Sequence, residues 1–485
     1  MQTMKKVYIK MLKEKAISGL KWTALSNVIL SVLQIVQISV LTHYLATDDF
    51  GLMAIVMVVI GFSKIFSDMG ISNAIIHHQH TSHEQLSSLY WLNIMSGLFL
   101  FFIISGVAPF IASFYNQPKL INLLILLAST FIVLSIGNQY RILFQKELLF
   151  NFMAKIEISA AIIAFIVALA SAISDLGVYA LAYATLANAI VSSSLYFFFG
   201  IQRHKPSFLY NHQAIKKYIG FGLFQMGENT LNFFNSQFDV ILIGKLLGLE
   251  VLGIYSVMKQ LSMKPAGIIN PIINRVAFPV LSKVQNNDNK LKNIYLNIIN
   301  TIASINFPIY IAIVILAEPI VAIMFGDKFQ SGVPILQVLS IYAMLRSTSN
   351  PIGSLLMAKG RVDIGFYWTI ILFTFIPLSI YIGSQFGIMG VVYALISLQI
   401  ILMIPSWFFM IKKMCGATFI EFFKQILIPL ILSVIAGSIA FIGMIIASNY
   451  LLQLILVSFI GLLVYLLLLY KFNKNFINSV KDLKK

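Results

Sequence analysis

The stretch Leu451-Leu-Gln-Leu-Ile-Leu-Val-Ser-Phe-Ile-Gly-Leu-Leu-Val-Tyr-Leu-Leu-Leu-Leu-Tyr470 decides the fold class. It carries no charge, and Gln453 and Ser458 are its only strongly polar side chains besides two tyrosines. An uninterrupted apolar run of about 20 residues is the length of a helix crossing a bilayer core. A membrane barrel would show alternating segments of about ten residues instead. The rest of the chain agrees. Of 485 residues 59% are hydrophobic and 11% charged, whereas a soluble domain carries about 25% charged residues. Such a chain cannot cover a water-facing surface. In lipid its backbone polar groups must be paired within helices. The class is an all-α polytopic membrane protein.

Apolar runs place about fourteen spans, near 18–45, 51–76, 86–113, 119–143, 153–173, 177–200, 217–244, 251–275, 293–317, 333–358, 364–384, 387–411, 425–447 and 450–470. The net charge of +17 would suggest nucleic acid or an anionic surface in a soluble protein. Here the spans sort it. Lys119, Lys245 and Lys328 are the only basic residues in one set of loops, and Lys64, Lys259, Lys264 and Arg346 fall within spans. Every other Lys and Arg lies on the opposite side or within a few residues of that end of a span, and the positive-inside rule makes this side cytoplasmic. Both termini are therefore expected in the cytoplasm, with the basic start (Lys5, Lys6, Lys10, Lys13, Lys15) as a retained anchor. No nucleic-acid partner is expected. The lone Cys415 excludes an intramolecular disulfide and any multi-Cys metal site.

The two halves resemble each other. Leu45-Ala-Thr-Asp-Asp-Phe-Gly-Leu52 aligns with Leu247-Gly-Leu-Glu-Val-Leu-Gly-Ile254. Leu143–Lys146 aligns with Leu356–Lys359, and Leu176–Ala184 with Phe386–Ala394. Each match is short, and Gly-aromatic patterns in apolar helices can coincide. Three in order at offsets of 202, 213 and 210 residues argue for a repeat of six spans. Parallel six-helix halves are a transporter architecture. The expected division is an N-terminal lobe at 1–200, a cytoplasmic inter-lobe loop at 201–216, a C-terminal lobe at 217–411, and 412–485 with the last two spans and a basic cytoplasmic tail. Those last two spans read as an appended hairpin facing lipid or a partner.

Polar groups at membrane depth are costly and point to function. Lys64 and Asp68 share a face of the second span, either as a self-neutralising pair or as part of a cavity. Glu228, Asn232, Asn235 and Asp239 fall at roughly 0°, 40°, −20° and 20° on a helix of about 100° per residue, so they form one stripe. The first span repeats this with Thr23, Asn27, Ser31 and Gln34. Lys259 and Lys264 occupy the eighth span, which Pro265 and Pro271 are expected to bend or break. Arg346 stands beside Ser347-Thr-Ser-Asn-Pro351, another breakable segment. None of these three cations has a carboxylate four residues away. Each is either paired across helices, with Glu228 or Asp239 as partners, or placed for an anion. Arg141 and Arg275 flank the inner mouth.

His77, His78, His80 and His83 look like a metal tract, but their polar loop reads as a solvated turn, and no metal or cofactor is expected. No G-x-S-x-G, P-loop or D-x-D site occurs in a loop, so no enzyme chemistry is expected.

Leu41–Ala54 (LTHYLATDDFGLMA), Phe66–Ile76 (FSDMGISNAII), Leu89–Asn93, Arg141–Glu147 (RILFQKE) and Asp239–Tyr255 (DVILIGKLLGLEVLGIY) resemble bacterial polysaccharide transporters. The branch is similar to the colanic-acid and teichuronic-acid exporters among Wzx-like flippases of the multidrug/oligosaccharidyl-lipid/polysaccharide exporter superfamily. The resemblance spans about residues 15–415. It implies two six-helix lobes around a central cavity. It also implies export of an undecaprenyl-diphosphate-linked oligosaccharide across the inner membrane, alongside glycosyltransferases and a polymerase of the same pathway. His43 departs from the branch, which commonly carries arginine there. The expected anion-binding set is Lys64, Lys259, Lys264 and Arg346, with Arg141 and His43. The expected coupling or cavity set is Asp68, Glu228, Asn232, Asn235, Asp239, Asn27 and Gln34. A cation-coupled multidrug antiporter of the same superfamily is the first rival, and it predicts a cavity dominated by acids. A membrane polymerase or ligase is the second, and it calls for a large outer loop that this chain lacks.

Overall fold

The computed structural model describes residues 2–67, 75, 81–473 and 476–477, without the side chains of 2–17, 20, 212–226 and 228. Among these residues every regular element is helical. The sequence expects the first helix to begin near residue 18. The structure starts α1 at Gln2–Tyr44, because no proline or glycine interrupts the basic start before Gly19. There follow α2 (Thr47–Ser67), α3 (His83–Tyr115), α4 (Lys119–Lys146), α5 (Phe150–Ile173), α6 (Tyr179–Gly200) and α7 (His212–Leu246). Local signals set the ends. Ser82 and Gln85 form a capping box at the start of α3, and Asn116 closes that helix with a left-handed φ of 55°.

The later helices are α8 (Leu249–Lys283), α9 (Asp288–Ile315), α10 (Ala317–Phe325), α11 (Val333–Ser347), α12 (Pro351–Ala358), α13 (Val362–Ser384), α14 (Gly387–Ser406), α15 (Phe419–Ala440) and α16 (Tyr450–Phe472). Eleven helices among the described residues are long and apolar enough to cross a membrane. The three other expected spans fall on α7, on α8 and on the α11–α12 pair. α8 is long, at 35 residues, but carries Lys259, Lys264, Arg275 and Lys283. The tenth expected span is divided at residues 348–350. The break foreseen beside Arg346 is therefore present. The eighth span is not broken: α8 runs continuously through Pro265, Pro271 and Pro279. Proline is tolerated in membrane helices when neighbouring groups take up the freed backbone.

The chain divides into two compact units, Met1–Lys245 and Leu246–Lys485. α7, which the repeat assigns to open the second half, thus falls almost wholly in the first unit. In that unit small residues set the packing. α5 buries Ala160, Ala164, Ala168 and Ala172, one per turn. Gly137 lets α4 approach α6 so closely that a Cβ there would sit 2.7 Å from the Ser193 backbone. Tyr90, Tyr140, Phe144 and Tyr196 form an aromatic knot at one end.

Both ends of α7 are tied to α3. At one end Lys245 Nζ donates to Phe114 O (2.5 Å) and Tyr115 Oη donates to Ile241 O (3.2 Å). At the other, the segment before α7 is strapped across the first turns of α3. Ser207 N donates to Ser87 Oγ (3.1 Å), Asn211 N to Ser88 Oγ (2.9 Å), Asn211 Nδ2 to Glu84 Oε1 (2.8 Å) and Trp91 Nε1 to Ser207 O (2.9 Å). Phe208 stacks on Trp91.

His204 lies under this strap, 7% exposed, with its ring 4.7 Å from that of His83. His83 Nε2 is in turn 3.1 Å from Lys205 O. Burial first, and then His83, lower the His204 pKa from its ordinary value. Charged groups on the elements of the strap are Glu84 on Asn211, Lys205, the Arg203–Glu147 ion pair, and Lys146 on Thr81. A lowered folded-state pKa means the unfolded chain binds the proton more readily. The contribution of the strap is then complete above about pH 6.5 and declines as the pH falls below it. With Trp22, Trp368 and Trp407 replaced by Phe, Trp91 emission should shift to the red on acidification from pH 7.5 to 5.5. A His204→Gln background should flatten the shift. An equal shift in that background would remove His204 as its cause.

The second unit is built on Tyr295, Phe307, Tyr310, Leu281 and Leu355, with Cys415 buried beside them. The C-terminal hairpin, α15 and α16, is bonded to it along one face. Tyr465 Oη donates to Ser304 O (2.7 Å), and Asn473 Nδ2 to Ser304 Oγ (2.9 Å). One face of the hairpin thus packs on α9.

Candidate functional site

In the first unit the polar stripe of α7 is graded. Asn232 is exposed, Asn235 is half-buried and Asp239 is 8% exposed. Asp239 Oδ1 accepts the Val240 N–H at 2.8 Å. Glu228 lies on the same helix, with its side chain outside the described residues, and Asp68 lies outside them altogether. Asn27 and Gln34 are exposed on α1, and Lys64 is exposed in the last turn of α2. Lys64 stands near an aromatic contact of α2 with α7, where Phe62 meets Phe234 with ring centroids 5.1 Å apart.

His43 is exposed, with Nδ1 2.8 Å from Ser39 O, one turn back on its own helix. Arg141 has a partner that the sequence reading did not find: its Nε is 3.6 Å from Glu157 Oε1, which also accepts from Tyr196 Oη at 3.3 Å. This acid offsets the charge expected of Arg141 at the inner mouth. Of the histidine tract, His77, His78 and His80 are outside the described residues, while His83 belongs to the strap on α3.

The second unit brings three of the expected cations onto helices that pack together. Lys259 and Lys264 are half-buried on α8, and Arg346 is exposed at the end of α11. All three engage neighbouring groups. Arg346 Nη1 donates to Tyr342 Oη at 2.9 Å, and its guanidinium lies 5.8 Å from the Tyr342 ring centroid.

Beside Arg346 runs an amide network, buried at Asn270 and Asn306, that reading for charges passed over. Asn306 Nδ2 donates to Asn270 Oδ1 (3.2 Å), and Asn270 Nδ2 donates to Ser347 O (3.0 Å). Asn274 Nδ2 reaches Asn350 Oδ1 (3.4 Å), and Gln399 Nε2 reaches Ser349 Oγ (3.3 Å). The available signal was two asparagines in apolar helices close to prolines, Asn270 before Pro271 and Asn306 before Pro308.

These features define a class, a multi-span α-helical membrane protein with ionic and amide groups set into its helices. The particular family follows from comparison. The family described as polysaccharide biosynthesis protein matches residues 40–334. The chain is 34% identical over 424 residues to the lipopolysaccharide biosynthesis protein WzxC of Escherichia coli (strain K12), covering 87% of this chain and 86% of that one. It is 34% identical over 436 residues to the teichuronic acid biosynthesis protein TuaB of Bacillus subtilis (strain 168), covering 88% and 89%. In fold it is similar to the lipid II flippase MurJ in an inward closed conformation, with TM-score 0.74 and 16% identity over 95% of this chain and 100% of that one. The chain belongs to the polysaccharide biosynthesis protein family.

Proposed function

We propose that the protein is a flippase for an undecaprenyl-diphosphate-linked oligosaccharide of surface polysaccharide synthesis, working by alternating access in the bacterial inner membrane. The observation that carries this reading is the set of cations on packed helices of the second unit, Lys259, Lys264 and Arg346. A diphosphate entering a low-dielectric region needs fixed positive partners, and charge-assisted contacts supply them. Family membership and the names of the relatives support the glycan side of the reading. The fold likeness supports the lipid carrier.

Lys64, with Arg141 and His43 in lesser parts, is the anion-binding set of the first unit. Asp68, Glu228, Asn232, Asn235, Asp239, Asn27 and Gln34 form the polar lining, in which Glu228 and Asp239 are the candidates for a coupling proton or cation. About fourteen spans, both termini in the cytoplasm and lobes at 1–200 and 217–411 complete the proposal. Glycosyltransferases and a polymerase of the same pathway would supply and consume the cargo.

The test is reconstitution in proteoliposomes with a short-chain polyprenyl-diphosphate disaccharide carrying a fluorophore. Protein-dependent loss of accessibility to a membrane-impermeant quencher is the expected result. Vesicles that instead take up cationic drugs and leave the lipid-linked sugar in place would overturn the proposal in favour of an antiporter.

A further inference from the structure

The end of α11 can be accounted for carbonyl by carbonyl. A helix leaves its last four C=O groups without intrahelical partners, and at membrane depth there is no bulk water to take them. Here each has a donor. Met344 O accepts from Ser347 Oγ at 2.7 Å, Leu345 O from Thr348 Oγ1 at 2.8 Å, and Arg346 O from Ser349 N at 3.1 Å. These three are local. The fourth, Ser347 O, is served from another helix, by Asn270 Nδ2 of α8.

Asn270 is 1% exposed and Asn306 is 0% exposed. The second amide fixes the orientation of the first, since Asn306 Nδ2 donates to Asn270 Oδ1 and also to Ile302 O at 3.1 Å. Turning the Asn270 amide over would set oxygen against oxygen at Ser347 and nitrogen against nitrogen at Asn306. α12 then begins at Pro351, whose missing N–H has no partner to lose in a first turn. The gap is held further by Asn274 on Asn350 and by Gln399 of α14 on Ser349. The break is thus built by three other helices, and Arg346 stands one residue before the carbonyl they secure.

We propose that Asn270 and Asn306 are positioning residues: their hydrogen-bonded pair caps α11 at Ser347 and so sets the direction in which Arg346 is presented. Tyr342, one turn earlier, holds the guanidinium itself. Nothing in this requires the asparagines to touch cargo.

The proposal rests on the anion-binding role of Arg346 given above, and a double-substitution cycle separates the two. Asn270→Leu removes donor and acceptor together at similar volume, and Asn270→Asp keeps the acceptor alone. In the proteoliposome assay Arg346→Ala should raise the half-saturating concentration of the lipid-linked diphosphate at least tenfold. Asn270→Leu should raise it about as much, with the amount of folded protein and the maximal rate near wild type. Asn270→Asp, which sets a carboxylate oxygen against Ser347 O in place of the donor, should impair saturation at least as much as Asn270→Leu. Asn270→Leu combined with Arg346→Ala should be no worse than Arg346→Ala, because one contact cannot be lost twice. Multiplying effects in the double variant, or wild-type saturation in both Asn270 variants, would overturn the positioning role. No effect of Arg346→Ala would sink the anion reading instead. Should Asn270→Leu fail to fold, Asn306→Leu takes its place, since it leaves the Asn270–Ser347 bond but frees the amide to turn. It should give a smaller rise of the same kind.

Discussion

Replacing Lys264 or Arg346 by alanine should stop export of the surface polysaccharide while leaving the protein in the membrane. The expectation follows from where the two side chains sit. Lys264 is half-buried on α8, and Arg346 is aimed by Tyr342 at the end of α11. Where bound cargo excludes water, truncating one partner of the charge pair costs about 2–4 kcal/mol, or roughly 30- to 1,000-fold in affinity. A lipid-linked precursor at limiting concentration would then no longer be captured. Restoring charge separates the two sites. Lys264→Arg should keep most activity, because a lysine binds as a point charge. Arg346→Lys should lose more, since an ammonium cannot reproduce the planar contact with Tyr342. The measurement is surface polysaccharide in a strain lacking the gene, complemented by each variant at matched abundance. Full export from both alanine variants would remove these cations from the site.

A large structural effect is expected at Gly137. Its Cα faces Ser193 so closely that any side chain would collide with backbone, which cannot rotate away. Gly137→Val would push α4 from α6 and cost about 3 kcal/mol. It should reduce the monodisperse protein recovered in detergent and lower its thermal midpoint. Gly106 supplies the control, because a Cβ there meets nothing within 4 Å. Gly106→Ala should behave as wild type or slightly better. Equal recovery of the Gly137→Val and Gly106→Ala proteins would show that the close crossing is not needed.

Much of the fold was legible because lipid imposes so narrow a choice. Runs such as Leu451–Tyr470 have one solution, and the basic loops follow from it. The break after Ser347 was legible too, since Thr348-Ser-Asn-Pro351 favours turns over helix. Pro265 and Pro271 do not break α8. Their cost is local, whereas the packing that keeps the helix continuous through them comes from other parts of the chain. Partners distant in sequence escaped for the same reason. Arg141 meets Glu157 across a loop, and His83 at the start of α3 meets His204 in the segment after α6. A search along each helix for i+4 acids could find neither. The amide network escaped because a single neutral asparagine in an apolar helix is a weak signal until the helix beside it is known. Charges mark themselves in a membrane sequence; the groups that aim them do not.

The continuity of α8 has a mechanical consequence. Each of its prolines lacks the N–H that would reach back four residues, so the carbonyls of Leu261, Gly267 and Arg275 have no rung above them. Elsewhere in the helix, bending means stretching hydrogen bonds. At these three places there is none to stretch. α8 is therefore a rod with three compliant joints, able to share out a bend without unwinding a turn. The lysines it carries can be displaced by flexing alone, at little cost in broken backbone bonds.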